Sequence, residues 1–253
     1  AVFEDCKKAY GKIFTLRLLG HTNVVVISEA AHLKQVFSAS SEELLTGKIN
    51  ATLLEPILGN SSLLTLDEQT HVQHRRLLLP SFHGQRMEVY GELMAAVVKK
   101  QMTHWKNGLQ LKLLDEARHM TFSIILSAIF GMEEGDTRFK KLTNSLHALI
   151  QVLANPFAFM TLLTPLLRRN LGPLTPWAKI MKLKQAVDAC LFEEIEARRK
   201  VNLDDRTDIL SLLLQAKDES GHTMTNQEIR DEMLTLLMAG HETSTMGITW
   251  AFY

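Results

Sequence analysis

Residues 233–249 read Met-Leu-Thr-Leu-Leu-Met-Ala-Gly-His-Glu-Thr-Ser-Thr-Met-Gly-Ile-Thr. The opening six positions suit an apolar core helix, and the next several break its rules together. Gly240 in a helix interior costs about 1 kcal/mol relative to alanine. Thr243, Thr245 and Thr249 are stiff at χ1, and Ser244 competes for backbone hydrogen bonds. Glu242 is a charge whose burial is costly unless it is paired. Several local rules broken at one place mark a functional site more than a scaffold. Leu236, Gly240, Thr243 and Gly247 recur at helical spacing, so they share a mostly small face that a flat ligand can approach closely. The competing reading is a close helix crossing, with Glu242 reaching solvent or an arginine.

Upstream, Thr225 and Glu228 form a capping box that starts this helix. No stop signal precedes Tyr253. At 1.5 Å per residue the helix spans about 40 Å. Its apolar stretch requires a core position, so the chain is expected to end inside a core helix with further sequence missing.

The remainder reads as mainly α within one domain, residues 1–253. The one clear strand signal is a hairpin, residues 13–19 and 24–27, turning at Gly20, His21, Thr22 and Asn23. A short helix follows over 29–37. Residues 41–64, punctuated by Gly47, Pro56, Gly59 and Asn60, read as a loop with one or two helical turns. Thr65 and Glu68 suggest a second capping box for a helix ending before Pro80. Further helices are expected over 88–105, over 114–130 with Gly131 as its stop, and over 137–153. Four prolines between 155 and 176 require repeated bends. Thr175-Pro176 is a helix start, cap then first position, for a helix to about residue 200. Its acid-before-base pairs, Glu194 with Arg198 and Glu196 with Lys200, read as a solvated face. A short helix is expected over 207–217.

Lys plus Arg number 28 and Asp plus Glu number 28. That balance provides no cationic surface for nucleic acid. Two cysteines, Cys6 and Cys190, make neither a metal pair nor a disulfide framework, which suits an intracellular setting. No apolar run reaches the roughly 18 residues needed to cross a bilayer, so membrane association has no support within the chain. The chain opens without Met in a charged stretch, residues 4–8, which leaves an upstream leader or anchor open.

A second constellation is His71-Val72-Gln73-His74-Arg75-Arg76, followed by Pro80-Ser81-Phe82. His71 and Arg75 are one turn apart and can hold a ligand carboxylate together, the arginine bidentately. Taken alone the cluster reads more readily as a basic surface, since basic helical faces are common. No histidine set has zinc spacing, and no phosphate loop or nucleophile elbow is present.

The two constellations in this order resemble the cytochrome P450 family over essentially the whole chain. Ala239-Gly240-His241-Glu242-Thr243 is similar to that family's central-helix motif. Residues 71–82 are similar to the helix that passes over the haem propionates. The segments at 174–200 and 206–216 are most similar to bacterial, and within these cyanobacterial, members. The resemblance implies a cytochrome P450 fold, incomplete here, and haem b as cofactor. It implies that His71 and Arg75 bind propionates, that Ala239 and Gly240 lie over the distal haem face, and that Glu242 and Thr243 manage protons during O–O cleavage. Substrate walls are then expected at Leu236, Leu63 and Leu64, for an apolar small molecule. A ferredoxin or flavoprotein reductase would supply electrons, in the cytoplasm if the source is bacterial. The reaction implied is monooxygenation, one oxygen atom entering the substrate and the other leaving as water.

The family's proximal cysteine, which ligates the iron, has no counterpart here: neither Cys6 nor Cys190 has the glycine-containing loop around it. The chain alone is therefore expected to provide no metal ligand and to be inactive. The competing readings are a peroxide-using peroxygenase of the same fold and a non-catalytic helical ligand-binding domain.

Overall fold

The computed structural model describes all residues except 1, 18–22, 41–42, 133–134, 170–171 and 174. A helix α1 (Val2–Tyr10) leads into an antiparallel hairpin, β1 (Ile13–Arg17) and β2 (Asn23–Ile27), with Ile13 opposite Ile27 and Arg17 opposite Asn23. Of the expected turn, Asn23 begins β2, while Gly20, His21 and Thr22 lie outside the described residues. Helices α2 (Ala30–Ser38), α3 (Thr46–Leu58) and α4 (Glu68–Leu78) follow.

Helix α3 corrects the expectation of a loop at 41–64. Pro56 sits inside its last turn. A proline there removes the N–H that would bond the carbonyl four residues back. That carbonyl, on Thr52, instead accepts from Arg168 Nη2 at 2.5 Å. The start of α3 is capped from a distance as well. The Asp67 carboxylate accepts from the Gly47 N–H at 2.8 Å and the Lys48 N–H at 2.6 Å. Asp67 therefore precedes α4 without capping it. The Thr65 capping box is also corrected: Thr65 Oγ1 donates toward the Ser62 and Gly59 carbonyls, and the helix begins only at Glu68.

Beyond α4 a 3₁₀ turn, Leu79–Phe82, carries the chain through Pro80 into α5 (Gln85–Met102), three residues earlier than expected. Helix α6 (Leu113–Phe130) ends at Gly131 in the left-handed conformation, and α7 (Thr137–Leu153) is capped by Asp136. The proline-rich bend holds α8 (Pro156–Leu163), capped by Asn155, and a 3₁₀ turn at Pro165–Leu167. Thr175 caps α9 (Pro176–Arg198), Asp208 caps α10 (Ile209–Gln215), and the Thr225–Glu228 box caps α11 (Asn226–Ala251).

The core sits where α6, α7, α9 and α11 meet. Leu126, Ile129 and Phe130 of α6, Leu142, Leu146 and Leu149 of α7, Val187, Leu191 and Ile195 of α9, and Met233, Leu234 and Leu237 of α11 are all buried. Each set recurs at three- and four-residue steps, one helical face per element. No single helix among the described residues is long and apolar enough to cross a membrane, and α7 and α8, taken together, bend by 81° at their break.

Glu194 and Arg198 correct the solvated-face reading of α9, which holds for the exposed Glu196 and Lys200. Both Glu194 and Arg198 are buried. Arg198 Nη1 donates to Asp208 Oδ1 at 2.7 Å and Ser211 Oγ at 2.7 Å, and Nη2 donates to Glu194 Oε1 at 2.7 Å and the Phe130 carbonyl at 2.6 Å. One guanidinium thus joins α6, α9 and α10. Removing it leaves two buried carboxylates without their main partner, which typically costs about 3–5 kcal/mol. Arg198→Met is therefore expected to lower the urea midpoint of the chain sharply, whereas Arg138→Ala, at the half-exposed end of the same cluster, should move it by less than about 1 kcal/mol. Equal midpoints for Arg198→Met and wild type would show that the cluster does not hold these helices together.

Candidate functional site

The two constellations singled out from the sequence lie on α4 and α11, and one buried pair joins these helices. His74 Nδ1 lies 3.0 Å from Glu232 Oε1, and its Nε2 lies 3.7 Å from Glu228 Oε1. His74 is 7% exposed and Glu232 fully buried. Burial pushes the Glu232 carboxyl above the ordinary glutamate range, opposed by His74 and the Leu63 backbone N–H. Its second oxygen has no hydrogen-bond partner. Beside it, Thr235 Oγ1 bonds the Ser62 hydroxyl at 2.7 Å, fixing the segment that carries Leu63 and Leu64.

His71 and Arg75 sit one turn apart on α4, adjacent to the buried His74–Leu78 face. His71 is half-buried and Arg75 exposed. Neither side chain has a hydrogen-bond or ion-pair partner among the described residues. Arg76 points elsewhere and pairs with Glu219.

On α11 the face of Glu232 returns at Ala239, Thr243, Met246 and Trp250, at helical steps. Ala239 lies seven residues beyond Glu232, about 10 Å along the axis. From there the face is bare: Ala239 and Thr243 are exposed, and Met246 and Trp250 are 43% and 64% exposed. Thr243 Oγ1 donates to the Ala239 carbonyl at 2.5 Å, which leaves its lone pairs open toward that face.

The face expected from Leu236, Gly240, Thr243 and Gly247 is divided. Thr243 and Gly247 are exposed, but Leu236 packs on the core. Gly240 abuts α6: a Cβ built on it would lie 2.6 Å from Ile125 Cδ1. Its missing side chain thus serves the helix crossing, the competing reading of that residue. Leu63 also packs on the core, while Leu64 is exposed.

Glu242 projects from another side of α11. Its Oε1 lies 3.9 Å from Arg118 Nε on α6 and 3.7 Å from His241 Nε2. His241 is buried, and its Nδ1 lies 3.0 Å from Thr121 Oγ1, which also lies 2.7 Å from Thr245 Oγ1. Burial, then the neighbouring His147 and Arg118, lower the His241 imidazole to about 4. Glu242 and Thr243 are therefore neighbours in sequence that reach different surroundings across the helix. No group of histidines, cysteines and carboxylates suited to a metal ion occurs among the described residues. Cys6 lies on α1 and Cys190 is buried in α9, both free.

Sequence reasoning missed His74, Glu232, Arg118 and His241 as parts of this arrangement. The available signal was Glu232 itself, the last of three charges leading into the apolar stretch of the helix, where burial requires a partner.

Comparison with known proteins gives a consistent result. The cytochrome P450 family model matches residues 1–253. Cytochrome P450 135A1 of Mycobacterium tuberculosis is 32% identical over 248 residues, covering 97% of this chain and 54% of that protein. Cytochrome P450 138 of Mycobacterium bovis is 35% identical over 246 residues, with the same coverages. The chain thus spans about half the length of the curated relatives it matches. Among solved structures, a retinoic-acid-bound cyanobacterial CYP120A1 aligns with a TM-score of 0.72 at 25% identity, over 96% of this chain and 52% of that one. CYP102L1 aligns with a TM-score of 0.73 at 19% identity, over 98% of this chain and 56% of that one, a likeness of fold.

The His74–Glu232 pair generates a pH prediction. A carboxyl raised in the folded state binds more protons there than when unfolded. Stability is therefore lost as pH climbs from the ordinary glutamate value through the folded one. His74→Leu removes the main group opposing that rise. The thermal midpoint of this variant should fall more steeply than that of the wild type as pH increases above the ordinary glutamate range. Parallel midpoint-versus-pH curves would show that His74 does not support the Glu232 charge.

Proposed function

This chain belongs to the cytochrome P450 family, and on that ground we propose that it contributes the α4–α11 junction to a haem monooxygenase acting on an apolar small molecule. Haem b is the cofactor that the family implies for the complete protein. When bound, it supplies the dioxygen activation and oxygen-atom transfer, chemistry that belongs to the cofactor and not to the chain.

The residues present fit such a group. The observation that carries the reading is the His74–Glu232 pair, which fastens α4 to α11 with His71 and Arg75 flanking it on α4 and the bare stripe of α11 beginning about 10 Å further along that helix. On α4 it leaves His71 and Arg75 with unused donors. Two basic side chains one turn apart suit the acidic edge of a flat ligand, and arginine adds a bidentate bond. On α11 it leaves a bare stripe that begins with Ala239, whose single methyl holds the backbone close to whatever lies against it. Gly240, beside it, lets α11 sit low on α6.

Glu242 and Thr243 then divide the handling of protons. Glu242 faces a cavity with Arg118 at its edge, from which a carboxylate can exchange protons with water. The Thr243 hydroxyl stands on the bare stripe, where it can accept or donate a hydrogen bond. Leu236, Leu63 and Leu64 are assigned to the substrate walls; their aliphatic character supports an apolar substrate. Electrons would come from a ferredoxin or flavoprotein reductase. Neither Cys6 nor Cys190 is assigned as an axial ligand, and the chain alone is expected to form no thiolate-ligated haem.

The test uses the haem-bound holoprotein. Glu242→Gln should lower turnover driven by a reductase and dioxygen by about 100-fold or more, the scale of a lost proton donor. Turnover driven by hydrogen peroxide, which arrives with its protons, should change little. Arg75→Gln should speed haem transfer to apomyoglobin without altering the peroxide-driven product profile. Equal losses with dioxygen and peroxide would remove Glu242 from proton supply. They would favour the peroxygenase alternative.

A further inference from the structure

Behind the stripe of Ala239 and Thr243, on another side of α11, α6, α7 and α11 line a half-open cavity of about 750 Å³. That volume lies within the usual range for small-molecule sites, roughly 300–1,000 Å³. Phe122 of α6, Phe139 and Ile150 of α7, and Met238 of α11 give it apolar walls. One buried polar atom points to an occupant: Thr143 Oγ1 has no hydrogen-bond partner. One turn further along α7 the exposed His147 ring packs on Phe122, centroids 4.6 Å apart, and makes no hydrogen bond among the described residues. A buried polar atom without a partner costs about 1–3 kcal/mol, and a ligand can recover that.

The charge of the occupant follows from the lining. The His241 imidazole is held down to about 4, chiefly by burial, and is neutral at pH 7; His147, though exposed, is shifted the same way by partial desolvation and by the neighbouring His119 and Arg118. Asp115 and Glu242 line the cavity beside Arg118 and His119, and Glu242 lies 3.9 Å from Arg118, so the acidic and basic groups oppose each other and favour neither an anion nor a cation. A neutral molecule suits this balance. A hydroxyl group suits the polar pair best, since it can donate to the unprotonated nitrogen of a neutral imidazole while accepting from a threonine.

We propose that this cavity is a second small-molecule site, which takes a neutral, ring-sized apolar compound bearing one hydroxyl group, recognised by Thr143 and His147. The proposal shares Glu242 of the cavity lining with the haem reading but not its recognising groups, since Thr143 and His147 lie on α7 away from the bare stripe, and it is tested without haem.

The probe is 4-propylphenol, titrated into the purified chain at neutral pH by calorimetry, with propylbenzene as the comparison. Saturable one-to-one binding is expected for the phenol. Thr143→Val should weaken it about 5- to 10-fold, the scale of one hydrogen bond, and leave propylbenzene unchanged; Thr143→Ser should retain the affinity. Gln151 is exposed and lines the cavity. Gln151→Trp should therefore fill the space without disturbing the fold, checked by an unchanged thermal midpoint, and abolish binding of both compounds. Absence of saturable binding to the wild type overturns the proposal. So does affinity insensitive to Gln151→Trp, and affinity for the phenol insensitive to Thr143→Val overturns recognition of the hydroxyl.

Discussion

Three consecutive charged residues, Arg230, Asp231 and Glu232, are buried at the start of α11, and the rest of the arrangement follows from how each is paired. A buried charge is tolerated only with partners. Consecutive helical residues point about 100° apart, so the three side chains reach three different parts of the fold. Arg230 donates to Asp188 Oδ1 on α9 at 2.8 Å and to the Leu58 carbonyl at the end of α3 at 2.9 Å. Asp231 accepts from the Ser61 N–H at 3.0 Å and closes on Gly59, where φ is +98° and a Cβ would lie 2.1 Å from its Oδ2. Glu232 takes His74 of α4. One helical turn thus fixes α9, the α3 exit and α4 around the long helix.

The position of the candidate site is a consequence. Because α4 is fastened at Glu232, the helix that carries His71 and Arg75 is held against the start of α11, and that face of α11 is bare from Ala239 onward. The same turn through Asp231 and Thr235 places the 59–64 segment, and with it Leu63 and Leu64, on a neighbouring flank. Stability and site geometry therefore share residues, and a change at Glu232 disturbs both.

Much of the fold could be read in the sequence because its punctuation is local. The Thr225–Glu228 box, Thr175 with Pro176, and Gly131 each act within their own turn. What could not be read depends on distant partners. Helix α3 survives Pro56 because Arg168, more than a hundred residues later, bonds the freed carbonyl. Asp67 looked available to α4 but serves α3. Glu194 and Arg198 have the spacing of a surface pair, and only Asp208 and Ser211, arriving from α10, make them a buried cluster. At the site, the helical spacing of His71 with Arg75 and the run Ala239 to Thr243 were visible. Which side of α11 each residue would face was not, since that is set by the crossing with α6.

That crossing separates the two residues assigned to proton handling. Gly240 lets Ile125 come close, and the buried Thr121–His241–Thr245 bonds lock the rotation of α11 against α6. With the rotation fixed, Glu242 must project toward Arg118 and the cavity, and Thr243 onto the bare stripe. A carboxylate on the stripe itself would stand away from Arg118 and lose that partner. A threonine there needs no such partner, because its hydroxyl is already bonded to the Ala239 carbonyl. Adjacent positions in the sequence thus hold a charge beside a cation and a neutral hydroxyl on the bare face. The helix backbone between them is the partition, and Gly240, by admitting Ile125, sets the angle at which it stands.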